Sequence, residues 1–168
     1  IIPYAKEKNI NMIFDTDIEE LIIRCDMEKI EKIILNLLSN SIKFSERDKT
    51  ILVNITSNKE WVKVTVQDEG RGIPESMKDF IFDRFVQVDK SLNRKTEGSG
   101  IGLSIVKALV DMHEGNISVS SEINKGSTFD VYLPNKMLEG KGITSFDEFN
   151  IDTKKIELEL SDIYELYS

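Results

Sequence analysis

Asn36-Leu37-Leu38-Ser39-Asn40-Ser41-Ile42-Lys43-Phe44 closes a long amphipathic run, and the reading of that run organises the rest of the chain. Ile30, Ile33, Ile34, Leu37 and Leu38 recur at i, i+3, i+4, i+7 and i+8, the apolar stripe of an α-helix. Asp26 stands before the run as an N-cap. The spacing therefore predicts a helix from Asp26 to about Phe44, ending near Ser45-Glu46-Arg47-Asp48. Asn36, Asn40 and Lys43 follow at i, i+4 and i+7, within a stripe roughly 60° wide. That stripe flanks the apolar face and is expected to look into a cavity at the edge of the core. A solvated helix face accounts for two asparagines and a lysine as well. Asparagine, however, is a mediocre helix former, and two on one stripe are unusual. The chemical alternative is a magnesium–phosphate site. Mg²⁺ takes oxygen ligands and keeps several waters, so one amide oxygen plus phosphate oxygens suffices. Lys43 would add a compact positive charge for phosphate.

Working outward, Asn11–Asp15 and Leu21–Cys25 read as short strands on either side of the polar Asp17–Glu20. Beyond the helix, Ile51, Val53 and Ile55 alternate within Thr50–Thr56, and Val62, Val64 and Val66 within Trp61–Gln67. The polar Ser57-Asn58-Lys59-Glu60 between them makes a hairpin. Asp68-Glu69-Gly70-Arg71-Gly72 follows directly, a D-x-G-x-G at a strand end. It fits an ordinary turn. It also fits a base-binding turn, in which the carboxylate accepts from an exocyclic amine and the glycines let backbone approach a flat ring. A short helix is expected over about Glu75–Phe82, with Met77, Phe80 and Ile81 on its apolar side. Val86–Glu97 is polar, lacks periodicity and carries Lys90, Arg94 and Lys95, as a mobile loop would. Gly98-Ser99-Gly100-Ile101-Gly102 then opens a helix over Leu103–Met112. Glycine-rich backbone at a helix start presents amide donors and a positive dipole end to phosphate. The signal is weak by itself: it is not a Walker loop, and no strand feeds it as in a Rossmann turn. Ile117–Ser121 and Ser127–Leu133 are two further strands, and Pro134 ends the pattern. The order predicts an α/β fold, a two-layer sandwich of a mixed sheet with helices packed on one face.

At 168 residues the chain can bury a core without staples. A net charge of −8 argues against a nucleic-acid binder and against docking on an anionic membrane. The single Cys25 allows neither an internal disulfide nor a cysteine metal cluster, and the single His113 excludes a multi-histidine zinc site. No apolar run is long enough to span a bilayer. Beginning at Ile1 rather than Met, the sequence reads as part of a longer chain whose anchor, if it has one, lies elsewhere. Residues 136–168 change character: they are acidic, with one alternating run at 155–160. They are set apart from a domain at 1–135 as an extension, either solvated or adding Ile156, Leu158 and Leu160 to an edge or a partner.

Taken together, the asparagine helix, D-x-G-x-G, Phe80-Ile81-Phe82-Asp83-Arg84-Phe85, G-x-G-x-G-L and Gly126-Ser127-Thr128-Phe129 occur in the order of the catalytic and ATP-binding domain of sensor histidine kinases, which residues 1–135 closely resemble. Asn36–Phe44 looks like that family's asparagine box, and Asp68–Gly72 like its first glycine box. Phe80–Phe85 looks like its phenylalanine box, and Gly98–Leu103 like its second glycine box. The resemblance implies that Asn40 binds Mg²⁺ while Asn36 and Lys43 face the phosphates as the catalytic pair. It implies that Asp68 bonds the adenine amine with Thr128 in support, and that Phe44, Ile73 and Leu103 wall the ring. Gly70 and Gly72 would shape the turn. Gly98, Gly100, Ile101 and Gly102 would clasp phosphate under a lid carrying Lys90, Arg94 and Lys95. Gln87 stands where many relatives have a lid arginine, so one of those three cations is expected to substitute.

By the same resemblance the partners are Mg-ATP, a histidine-bearing dimerisation domain outside this chain, and a response regulator downstream, in a cytoplasmic setting. His113 is expected to be structural, a helix-terminal residue favouring the dipole. Two rival classes share the boxes. Gyrase, mismatch-repair and chaperone ATPases carry a water-activating glutamate four residues before the magnesium asparagine; here that position is Asn36, and an amide cannot take a proton from water. A non-catalytic nucleotide-sensing module is the other.

Overall fold

The computed structural model describes residues 2–86 and 100–136. Lys90, Arg94 and Lys95, expected on a lid, together with Gln87, Gly98 and the extension from 137, lie outside the described residues.

Five strands make one mixed sheet. They are β1 (Asn11–Thr16), β2 (Thr50–Ser57), β3 (Trp61–Asp68), β4 (Asn116–Glu122) and β5 (Gly126–Pro134), in spatial order β1-β2-β3-β5-β4. β1 runs parallel to β2, and all other pairs are antiparallel. A short α1 (Ile2–Glu7) precedes the sheet, and α2 (Met27–Phe44) and α3 (Gly102–Met112) pack on one face of it. The two-layer α/β arrangement is the one expected from the sequence.

The alternation in β3 and β5 is nearly strict. Val62, Val64, Val66 and Asp68 turn inward from β3; Ser127, Phe129, Val131 and Leu133 turn inward from β5. Against them lie Ile33, Leu37 and Ile42 of α2 and Val106 and Val110 of α3, all essentially without solvent contact. Each such side chain contributes roughly 1.5–3 kcal/mol by leaving water. The opposite face of the sheet is polar: Thr65 Oγ1 donates to Asp130 Oδ1 across the β3–β5 pair at 2.5 Å.

Two elements differ from expectation. Leu21–Cys25 is irregular rather than a strand. It does not add to the open edge of β1; Arg24 N–H donates instead to Lys136 O at 3.1 Å, beyond the end of β5. The helix expected over Glu75–Phe82 is a single 3-10 turn, Glu75–Met77, followed by further turns. Its bonds run to the third residue, from Met77 N to Pro74 O and from Phe80 N to Met77 O. Ile81, whose N–H returns to Met77 O, is buried, whereas Phe80 is 53% exposed, so the expected Met77, Phe80, Ile81 apolar side is not kept together.

Candidate nucleotide site

The last turns of α2, the turn after β3 and the start of α3 converge at one end of the sheet. Asp26 caps α2, accepting from Lys29 N–H. The apolar stripe Ile33–Leu37 continues one turn on to Ser41, which places a hydroxyl inside the core beside the end of β3. There Asp68 is buried. Its Oδ1 accepts from Gly70 N–H at 2.9 Å and from Ser127 N–H at 3.2 Å, and its Oδ2 accepts from Ser41 Oγ at 3.3 Å. Two backbone donors hold one oxygen; the other keeps lone-pair capacity beyond the single hydroxyl.

Burial pushes the Asp68 carboxyl above the ordinary aspartate range, and the three hydrogen bonds oppose it. The sign follows for stability. A carboxyl whose folded pKa is raised favours the fold in its neutral form, so its contribution is complete below the unfolded pKa and is lost as pH rises through the folded one. Carbon-detected NMR of the Asp68 carboxyl is expected to titrate with a midpoint above 3.8. A midpoint at or below that value would contradict the burial argument.

The glycines of the turn are dictated by space. A Cβ on Gly70 would lie 2.7 Å from Phe44 O. Gly72 has φ +71°, and a Cβ there would lie 2.0 Å from Glu122 O. The turn is thereby pressed against the end of α2 and against β4. Arg71 N–H donates to Phe44 O at 3.3 Å, and the Arg71 guanidinium lies 4.5 Å from the centre of the Phe44 ring. Lys43 Nζ approaches the same ring at 5.5 Å. Ile73 and Leu103 pack at the margin of the core. Ile73 N–H donates to Ser121 Oγ, which itself donates to Gly126 O and lies 3.0 Å from Ser127 Oγ.

At the start of α3, a Cβ on Gly102 would meet Asn36 Oδ1 at 2.9 Å, so the asparagine stripe faces the glycine-rich turn. Asn36 Nδ2 donates to Lys32 O at 2.8 Å. Asn36, Asn40, Lys43 and Phe44 are half-buried, as are Gly100, Ile101, Gly102 and Leu103. Gly100 has φ +67°, and its carbonyl accepts from Phe85 N–H.

Thr128 is not brought to Asp68. It pairs with Gln67 on the outer, polar face of the sheet, while Ser127 stands opposite Asp68. Side chains alternate across a strand, so adjacent hydroxyls cannot share one face. Ser127, Ser41 and Ser121 are the residues the sequence reading missed. His113 sits at the C-terminus of α3 and joins the two helices: Nδ1–H donates to Leu109 O at 2.8 Å, and Nε2 accepts from Asp26 N–H at 3.1 Å. Both ring nitrogens are thus engaged by backbone, with the tautomer set by those partners.

Residues 25–137 match the family described as histidine kinase-, DNA gyrase B- and HSP90-like ATPases, and the chain belongs to that family. Within it the chain has the fold of a histidine kinase catalytic domain. It is 40% identical over 120 residues to the signal transduction histidine-protein kinase ArlS of Staphylococcus aureus, a match covering 70% of this chain and 27% of ArlS. The chain therefore spans about a quarter of that relative's length. The catalytic domain of histidine kinase ThkA superposes with a TM-score of 0.70 at 30% identity, covering 80% of this chain and 86% of that one. ThkA is also known in complex with the response regulator TrrA. Full-length ShkA, solved in complex with AMPPNP, gives a TM-score of 0.69 at 29% identity over 79% of this chain and 27% of its own. No helix among the described residues is long and apolar enough to cross a membrane.

Proposed function

We propose that this chain binds Mg-ATP and supplies the catalytic half of a histidine kinase, passing the γ-phosphoryl group to a histidine on a separate dimerisation domain for relay to a response regulator. The observation that carries the reading is the buried Asp68 carboxylate. Backbone and Ser41 hold it at a glycine turn packed on Phe44, opposite an asparagine stripe that faces a glycine-rich helix start. Asp68 accepts the adenine amine, Phe44, Ile73 and Leu103 wall the ring, and the open backbone at Gly100, Ile101 and Gly102 faces the phosphates.

The donor set fits magnesium. Asn40 offers one hard amide oxygen, and phosphates and water complete the shell of such an ion. No cluster of three or more acidic, histidine or cysteine side chains that could hold a metal occurs among the described residues. Bound magnesium would neutralise phosphate charge; this chain's own residues position the nucleotide and exclude water around it. Asn36 stands where an ATPase needs a carboxylate, and its amide already donates to Lys32 O, which favours transfer to an acceptor over hydrolysis.

Incubation with γ-labelled ATP tests the reading. Acid-labile label is expected on an added histidine-bearing helical domain, with slow phosphate release when this chain is alone. Rapid release without the acceptor would favour an ATPase. Asn40→Ala is expected to reduce magnesium-dependent ATP affinity about tenfold, a loss of roughly 1.4 kcal/mol, measured by calorimetry with and without the metal. Equal losses in both conditions would remove Asn40 from the metal site.

A further inference from the structure

The C-terminus of α2 leaves carbonyls that the helix itself cannot satisfy. Many helices solve this with a left-handed glycine, but here Ser45 continues in an extended conformation, φ −84° and ψ 145°. Ser45 N–H reaches Ser41 O, and Arg71 N–H reaches Phe44 O. The rest fall to one side chain, from the stretch between α1 and β1. Lys8 Nζ donates to Ile42 O at 2.8 Å, to Ser45 O at 2.9 Å and to Lys43 O at 3.1 Å. All three ammonium protons are matched to carbonyls at the negative end of the helix dipole. Partial burial draws the Lys8 ammonium below the usual lysine range, with Glu7 opposing.

Lys8 is itself held. Its carbonyl accepts from Asp48 N–H at 3.1 Å, Asn9 Nδ2 donates to Asp48 Oδ1 at 2.6 Å, and the flanking Ala5 and Ile10 are buried in the core. The turn it clasps carries Lys43 and Phe44 and follows Asn40 directly.

We propose that Lys8 is a positioning residue of the nucleotide site: by clasping the Ile42, Lys43 and Ser45 carbonyls it fixes the last turn of α2, and with it the placement of Asn40, Lys43 and Phe44 toward the ligand. The inference rests on the nucleotide reading above. Lys8 touches no ligand; it acts through the helix end. A displacement of the order of 1 Å at such groups can cost up to about 100-fold in function, so loss of the clasp should register in binding and not only in stability.

The test is calorimetry on the full 168-residue chain with Mg-AMPPNP, comparing the unaltered protein with Lys8→Met, Lys8→Gln and Lys8→Arg. The affinity is read from the folded fraction at low temperature. Lys8→Met, which keeps the stem and removes the donors, is expected to bind about tenfold more weakly at undiminished stoichiometry. Lys8→Gln, with two amide protons, should fall between, and it keeps the test open if the methionine variant does not fold. Lys8→Arg should return to within about threefold of the unaltered protein. A lower melting temperature with unchanged affinity in both the methionine and glutamine variants would make Lys8 a purely structural cap and overturn the proposal. Absence of Mg-AMPPNP binding by the unaltered protein would overturn the nucleotide reading itself, and this inference with it.

Discussion

Asp68→Asn is expected to bind Mg-ATP about 100-fold more weakly than the unaltered protein while folding normally. The substitution is isosteric, and its amide oxygen can keep the Gly70 and Ser127 N–H bonds that Oδ1 now accepts. The amide nitrogen then takes the place of Oδ2. It can donate to Ser41 Oγ, but toward the base it presents a donor where the adenine amine needs an acceptor. Losing a charge-assisted hydrogen bond and facing donor to donor costs roughly 1.5–3 kcal/mol, or about 10- to 150-fold. Because burial disfavours the charged Asp68, a neutral amide should leave the ligand-free protein at least as stable at neutral pH. The preference for ATP over GTP expected of the unaltered protein should also collapse, since a guanine carbonyl suits an amide donor. Calorimetry with both nucleotides and a thermal melt read all three effects. Undiminished ATP affinity in a folded Asp68→Asn would take the base-reading role away from this residue.

Gly126→Ala is expected to be the most damaging single methyl in the domain, lowering stability by about 3–5 kcal/mol. Gly126 has φ +104°, a region that L side chains rarely enter. A Cβ there would stand 1.9 Å from Asp68 O, 2.8 Å from Asp68 C and 2.9 Å from Glu69 Cα. All three are backbone atoms of the segment that carries the buried Asp68 carboxyl, so no side chain can swing aside. β5 would have to draw away from β3 at the Asp68–Ser127 pair, and the Ser127 N–H bond to Asp68 would go with it. At about 2–4 °C per kcal/mol for a domain of this size, the melting temperature should fall by roughly 6–20 °C. A Gly126→Ala variant that melts within 2 °C of the unaltered protein, roughly 1 kcal/mol or less on that scale, would show that β5 has room the geometry does not allow.

Much of this arrangement was legible in the chain because the signals were local. The i, i+3, i+4 pattern from Ile30 to Leu38 marks α2, and the alternation of Val62, Val64 and Val66 marks β3, each within a single element. What escaped depends on how elements meet. Parity decided between Ser127 and Thr128: the inward Phe129, Val131 and Leu133 place Ser127 on the core face, a signal present in the sequence but hidden by the choice between adjacent hydroxyls. Ser41 extends the Ile33–Leu37 stripe by one turn, and only contact with β3 turns a polar intrusion into a partner for Asp68. Leu21–Cys25 has the composition of a strand but is tied by Arg24 N–H to Lys136 O rather than to the sheet edge at β1. Lys8 sits in a polar stretch, Lys6-Glu7-Lys8-Asn9, that reads as solvent-facing, and its partners lie more than thirty residues away.

The single bond from Phe85 N–H to Gly100 O brings the chain back, after residues 86–99, to the point where it left. Departure and return are fastened to each other, and α3 starts from the fastened point. Length between the two anchors is then an almost independent variable. Between two fixed ends, each doubling of the intervening length adds only about 0.6 kcal/mol in closure entropy. Residues could be inserted or removed there, or a reporter peptide grafted, without the change propagating into the sheet. The domain thus offers evolution and the protein engineer a port, fastened between Phe85 and Gly100, at which chain length can be rewritten while the Asp68 turn stays in place.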